Sequence, residues 1–213
     1  MHIRPIFLAL SFTGLLAAAG CTTTQPSTTI TAPVSAYAAT IDDGYSLPRV
    51  PITQVDEKYR RQIINYETTE EPGTIIVDTK ERLLYLVLED GKAIRYGIGV
   101  GRDGFRWSGD AYIGRRAEWP TWYPPQAMVK RQPELKEYAG GMEPGVMNPL
   151  GARALYLYKN GNDTMFRIHG NPDWTSIGQA VSSGCIRMIN QDIIDLYARI
   201  DPDKRTKVIV LEG

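Results

Sequence analysis

Between Gly73 and Gly99 the sequence carries three strand-length runs rich in β-branched and aromatic residues, G-T-I-I-V-D, L-L-Y-L-V-L-E and A-I-R-Y-G-I-G. A chain patterned this way is committed to a sheet. Asp90-Gly91, between the second and third runs, is a hairpin signal, because a tight turn needs positive φ and glycine supplies it cheaply. Downstream, Arg153 to Lys159 and Thr164 to His169 are again of strand length and flank a second turn pair, Asn160-Gly161. One stretch has clear helical period, Gln191 to Ile200, with Asn190 as its N-cap and Ile193, Ile194, Tyr197 and Ile200 on one face. Asp201-Pro202 ends it, and T-K-V-I-V-L is a closing strand. The pattern predicts a mostly β domain over residues 73–213 with one or two short helices.

What precedes that domain is of a different kind. A short basic start (His2, Arg4) leads into an apolar run from Ile6 to Ala19, too short for a comfortable membrane span and suited to the h-region of a secretory signal over residues 1–20. The run closes as L-A-A-A-G-C, which resembles the bacterial lipobox and makes Cys21 the expected lipid anchor, although Ala17-x-Ala19 also suits ordinary signal cleavage. Residues 21–72 are expected to join anchor and domain. Thr22 to about Ser46, rich in Thr, Ser, Ala and Pro without apolar period, reads as a flexible tether. Val55 to Tyr66 reads as a short amphipathic helix or a strap on the domain surface, and its pattern does not decide between the two.

Charge and cysteine usage narrow the function. Lys plus Arg and Asp plus Glu are both 24, so the basic excess by which a nucleic-acid binder displaces counterions is lacking. With Cys21 lipidated and His2 removed with the signal, one thiol, Cys185, and one imidazole, His169, are left. That pair makes no disulfide and no zinc site, which needs three or four such ligands. An unpaired thiol in an oxidising compartment implies a use for it.

Both residues lie in R-I-H-G-N-P-D-W-T-S-I-G-Q-A-V-S-S-G-C-I-R-M, Arg167 to Met188. A thiol with a reference pKa of about 8.5 is only a few per cent thiolate at neutral pH, and a neighbouring imidazole that takes its proton makes it a nucleophile toward an amide carbonyl. Gly184 suits a tight turn that exposes backbone N–H groups, so the amides of Cys185 and Gly184 are candidate oxyanion donors. Ser182 is a candidate to orient the His169 ring or to bond substrate, with Ser183 beside it, and Arg187 is a candidate for bidentate binding of a substrate carboxylate. Each has a plain reading too. Arg187 suits an internal ion pair, Ser182 and Ser183 suit an ordinary turn, and Trp119, Trp122 and Tyr123 suit packing in a core or lid.

His-Gly, a loop, then Ser-x-Gly-Cys-hydrophobic-Arg resembles the signature of the L,D-transpeptidase catalytic domain family, the YkuD/ErfK type. E-W-P-T-W-Y-P-P (Glu118 to Pro125), G-G-M-E-P-G (Gly140 to Gly145) and N-P-L-G-A-R-A-L-Y-L-Y (Asn148 to Tyr158) extend the likeness over roughly Gly73 to Leu211. Many members carry His where this chain has Ser183, which leaves the base role to His169. The resemblance implies a β-sandwich or barrel-like catalytic domain that needs no cofactor or metal. It implies attack of Cys185 on the bond between meso-diaminopimelate and D-Ala in a peptidoglycan tetrapeptide stem, with transfer of the acyl group to an amine of another stem or of an outer-membrane protein. Water as acceptor would make the same site an L,D-carboxypeptidase or an amidase. A non-catalytic peptidoglycan-binding lipoprotein is the rival of another class, and the intact His169, Gly184 and Cys185 argue against it. The expected location is the periplasm, with the membrane touched only through lipid.

The N-terminal reading predicts a mature chain that begins at Cys21 carrying lipid. Mass spectrometry of the N-terminal peptide checks this, and an unmodified start at Gly20 or Thr22 would refute the anchor.

Overall fold

The structure, a computed structural model, describes residues 29–102, 107–182 and 184–212. Its elements are β1 (Ile30–Thr31), β2 (Thr40–Asp42), β3 (Tyr45–Leu47), β4 (Gln62–Asn65), β5 (Ile75–Asp78), β6 (Leu83–Val87), β7 (Lys92–Gly97), β8 (Val100–Gly101), β9 (Gly109–Glu118), helix α1 (Gln126–Arg131), β10 (Arg153–Lys159), β11 (Asn162–Asn171), β12 (Ala180–Ser182), β13 (Ile186–Ile189), helix α2 (Asn190–Arg199) and β14 (Lys207–Leu211). The domain is mostly β, as its alternating runs require. Asp90 and Gly91 (φ 58° and 63°) and Asn160 and Gly161 (φ 50° and 81°) hold positive φ at both central positions, the turn form whose twist matches the strands it joins.

Ten strands form one sheet in the order β1-β4-β7-β6-β5-β14-β9-β10-β11-β13, while β8 pairs with β12 and β2 with β3 in two small sheets. The large sheet curls. Just past β7 the chain crosses to the opposite end, where Gly99 and Arg187 exchange two backbone hydrogen bonds of 2.9 and 2.8 Å and β8 runs parallel to β12. A side chain at Gly99 has no room, since a Cβ there would lie 2.6 Å from the Ser176 carbonyl oxygen. Inside the curl lies the main core, with Ile75, Val77, Leu84, Ile94, Leu155, Leu157, Ile168, Ile186 and Met188 packed against Ile193 and Leu196 of α2 and Ile200 at its end. Burial of these side chains is the main term that holds the sheet closed, at about 1.5–3 kcal/mol each.

Residues 29–46 depart from the tether expected of them. Tyr37 is fully buried, and its hydroxyl donates to the Asp192 carboxylate at 2.9 Å. Strands β2 and β3 make a hairpin across Asp43-Gly44, and Asp42 accepts from the Trp119 indole at 2.7 Å and from both ends of the Arg153 guanidinium at 2.7 and 3.0 Å. Tyr45 stacks on Trp119 with centroids 4.2 Å apart. Enough apolar and charge-assisted contact is made here to offset the entropy of ordering the segment.

Val55 to Tyr66 is a strap and not an amphipathic helix. It contains a short turn of 3-10 helix at Glu57–Tyr59 and then β4, and Tyr59 lies so close to Gly97 and Gly178 that a Cβ at either would meet it at 2.5 Å or less. Arg61 pairs with Asp195 at 2.8 Å and sits 3.7 Å from Asp192. Burial pushes the Asp192 carboxyl up to about 7, against the pull of Arg61 and the Tyr37 hydrogen bond. In α2 itself, Asn190 is the first helical residue and not the cap; its side chain accepts from the Ala152 N–H at 2.9 Å instead. Ile193, Leu196 and Ile200 face the core, with Ile194 and Tyr197 half-buried beside them.

Because Tyr37 fills a buried site, Tyr37→Ala is expected to destabilise the fold by about 3–5 kcal/mol, measured by denaturant unfolding. A change within about 0.5 kcal/mol, the usual range for a solvated segment, would overturn the account of residues 29–46.

Candidate active site

The site grows out of the pairing of β11 with β13. These strands run parallel, with Ile168 opposite Ile186, His169 opposite Arg187 and Gly170 opposite Met188. Ile168, Ile186 and Met188 are core residues, and successive side chains on a strand point to opposite faces. Arg167, His169 and Arg187 therefore share the face turned away from the core, and Cys185, two residues before Arg187, falls on the same side. A backbone hydrogen bond from Arg167 reaches the Cys185 thiol. The sequence-predicted thiol, imidazole and guanidinium are thus brought together.

His169 is 5% exposed, and its Nδ1 lies 2.6 Å from the Gly170 carbonyl oxygen. A carbonyl only accepts, so in the neutral ring Nδ1 carries the proton and Nε2 keeps its lone pair. Burial lowers the imidazole to about 4; the Gly170 bond and the Pro149 carbonyl oppose this, while the charges of Arg187 and Arg167 add to it. The thiol is pushed up, first by burial, although the Arg167 backbone bond and the charges of Arg167 and Arg187 pull it back. Burial thus disfavours charge on the thiol and the imidazole alike, and the same two guanidiniums act on both.

The turn before Cys185 differs from its sequence reading. Ser182 Oγ donates to the Cys185 carbonyl at 2.6 Å and accepts from the Gly184 N–H at 3.1 Å. Ser182 thus closes the turn and does not orient the His169 ring, and the Gly184 N–H is engaged internally and not free as an oxyanion donor. Gly184 has φ 123°, a conformation that only glycine adopts without strain. Among the described residues the Cys185 N–H has no backbone or side-chain acceptor. Ser183 lies outside the described residues, as does Cys21. Arg187 is half-buried and feels Asp173 electrostatically, yet it forms no ion pair among the described residues.

Between β9 and β10 the chain makes a long excursion containing α1. Trp122 and Met142 bridge its two sides and Trp119 is buried, whereas Tyr123 is 64% exposed. Sequence reasoning missed what fastens it. Asn148, 1% exposed, donates through Nδ2 to the carbonyls of Pro120, Met142 and Glu143 at 3.0 to 3.1 Å and accepts from the Leu150 N–H at 2.9 Å. It also missed that the group orienting His169 is a main-chain carbonyl, which no residue type announces. No group of residues that could hold a metal ion occurs among the described residues, nor any helix long and apolar enough to cross a membrane.

Residues 72–210 match the family described as the L,D-transpeptidase catalytic domain, YkuD. Two relatives from Escherichia coli (strain K12) are similar. The probable L,D-transpeptidase YbiS is 30% identical over 70% of this chain and 48% of its own length, and the probable L,D-transpeptidase ErfK/SrfK is 30% identical over 63% and 43%. A crystal structure from Brucella melitensis, described as a probable carnitine operon oxidoreductase, is 42% identical with a TM-score of 0.51, covering 72% of this chain and 96% of that one. The chain spans about half the length of the curated relatives it matches. The matched region takes in β11, β13, the turn at Ser182 to Cys185 and the Asn148 clasp, while the segment carrying Tyr37 and Asp42 precedes it. By its sequence signature, its β architecture and this match, the chain belongs to the L,D-transpeptidase catalytic domain family.

Proposed function

We propose that this protein is a peptidoglycan L,D-transpeptidase with Cys185 as nucleophile and His169 as base. The observation that carries this reading is the His169 Nδ1 bond to the Gly170 carbonyl, which leaves Nε2 to accept a proton on the face that Cys185 shares. The Gly170 carbonyl fills the part that a carboxylate plays in other triads, holding the ring in one tautomer. Because burial disfavours charge on both groups, the thiol proton passes to Nε2 as sulfur attacks, not before.

The sulfur bonds to the diaminopimelate carbonyl carbon, and the oxyanion that forms is met by the Cys185 N–H, a donor worth about 10²–10³ in rate. The C–N bond then breaks, His169 returns the proton to the departing amine, and D-Ala leaves. The thioester conserves the energy of the cleaved amide. An amine of a second stem, or of an outer-membrane protein, attacks it next, losing a proton to His169, which passes that proton to the departing sulfur and restores the thiol. Ser182 fixes the turn that aims the Cys185 N–H, and Arg187, half-buried and without an ion pair among the described residues, suits a substrate carboxylate. The apolar run to Ala19 and L-A-A-A-G-C support export and a lipid anchor at Cys21, which would hold the domain in the periplasm.

The test is acylation of Cys185 by a carbapenem, followed by intact mass as a function of pH. One adduct per chain is expected, and none in Cys185→Ala. Since His169 stays neutral down to about 4, the wild-type rate should hold into mildly acid solution, below the usual imidazole range near 6.5. His169→Ala should lose nearly all acylation at neutral pH and regain part of it as pH rises past about 8.5, where a thiol ionises unaided. Near-wild-type acylation by His169→Ala at neutral pH would refute the base assignment.

A further inference from the structure

Across the sheet from the thiol runs a row of side chains that the reaction above does not use. Tyr156 on β10 is directly opposite Arg115 on β9 and Arg167 on β11. Both guanidiniums stack on its ring, each with Cζ 4.4 Å from the centroid, and Tyr156 is 7% exposed. Leu155 and Leu157, on either side of Tyr156 in sequence, are core residues, so the row lies on the face that carries His169. Cys185 immediately precedes Ile186, the partner of Ile168, and so sits level with Arg167 at the end of this row.

The two arginines are not equivalent. Arg167 is held by both oxygens of Asp163, at 2.6 and 2.8 Å. Asp163 also feels Arg115, but more weakly than Arg167, and the nearby Glu118 is paired with Arg153. Arg115 is exposed, and among the described residues it has the Tyr156 ring and no hydrogen-bonded carboxylate. Stacking fixes the plane of its guanidinium while leaving the donor edge open, which is the arrangement that suits bidentate capture of a carboxylate.

We propose that Arg115, positioned by Tyr156 and Arg167, recognises the free side-chain carboxylate of the diaminopimelate residue and so sets the enzyme's preference for its donor stem. This rests on the acyl-transfer reading given above. The spans agree. Neighbouring strands are about 4.8 Å apart, so Arg115, three strands from Cys185, starts roughly 14 Å from the thiol, and stacking on Tyr156 draws its guanidinium toward it. An extended diaminopimelate side chain carries its carboxylate about 7–8 Å beyond the attacked carbonyl carbon, and a charge-assisted hydrogen bond adds about 2.8 Å.

The experiment compares two synthetic tetrapeptide stems that differ only in carrying a carboxylate or a carboxamide on the diaminopimelate side chain, with release of D-Ala by the full chain as readout. Wild type is expected to favour the carboxylate in kcat/KM by roughly tenfold to a hundredfold, the usual weight of a hydrogen-bonded charge. Arg115→Gln should erase that preference by slowing the carboxylate peptide while leaving the carboxamide peptide unchanged. Arg115→Lys, which keeps the charge without the planar fork, should restore only part of it. An undiminished preference in Arg115→Gln, or no preference in wild type, would overturn this assignment with acyl transfer intact. Failure of wild type to release D-Ala from either peptide would overturn the acyl-transfer reading and the assignment with it.

Discussion

Parallel pairing of β11 with β13 is the interaction on which the rest of the site depends. Both strands owe their register to the core, because Ile168, Ile186 and Met188 must point inward together. A slip of one residue would bury His169 and Arg187 among leucines and turn Ile168 and Ile186 out, at a cost of several kcal/mol in lost burial and unpaired charge. Parallel strands need a crossover, and here the loop from Pro172 to Gly184 supplies it, pinned where Gly178 donates to the Ile98 carbonyl and where β12 joins β8. The apolar core thus decides where the thiol and imidazole lie, although neither belongs to it.

Around this pairing the polar side chains act mainly on backbone. Ser182 closes the turn before Cys185, Asn148 gathers three carbonyls and one N–H at the root of the excursion, and Asn190 meets the Ala152 N–H. The last contact is unusually tight: a Cβ at either Gly151 or Gly170 would lie 2.2 Å from Asn190 Oδ1. That knot sits directly behind the carbonyl that orients His169. Buried polar groups of this kind are worth about 0.5–1.5 kcal/mol each when satisfied, but leave a larger penalty when one partner is removed. Their effect is to fix geometry, which the proposed acyl transfer needs more than it needs stability.

How far the sequence disclosed all this depended on the kind of signal. The runs at Ile75, Leu83 and Ala93 and the turn pairs Asp90-Gly91 and Asn160-Gly161 became strands and hairpins because period and turn chemistry agree there. The signature from Arg167 to Met188 located the thiol and the imidazole for the same reason: they are rare residue types in a dense local pattern. Residues 29–46 have the composition of a tether but the turns of a folded segment. Asp43-Gly44 is the same hairpin pair as Asp90-Gly91, and Tyr37 and Leu47 are buried singly, without any period to announce them. Asn190 was assigned to capping because Asn favours that position, whereas its partner Ala152 is distant in sequence. The row from Arg115 to Cys185 has no sequence signature, since its members come from three separate strands and the turn before a fourth and meet only through register.

Two buried titrating groups, Asp192 on α2 and His169 on β11, act on the fold in opposite senses. Asp192, clamped by Tyr37 and Arg61, is raised to about 7 from the usual 3.8, and His169 is lowered to about 4 from 6.5. Asp192 alone adds stability that is whole below about 4 and is lost as pH rises through about 7. His169 alone adds stability that is whole above about 6.5 and is lost as pH falls through about 4. Between those limits folding binds one proton at Asp192 and releases one at His169, so their slopes, about 1.4 kcal/mol per pH unit each, cancel. The hypothesis is that this leaves the domain indifferent to mild acid as far as these groups are concerned, and denaturant unfolding from pH 4.5 to 6.5 tests it. Relative to wild type, His169→Gln should gain stability as pH falls, because only the Asp192 slope is left. Asp192→Asn should lose stability over the same interval. Parallel curves for wild type and both variants would mean that neither group titrates differently in the folded chain, and the cancellation would be refuted.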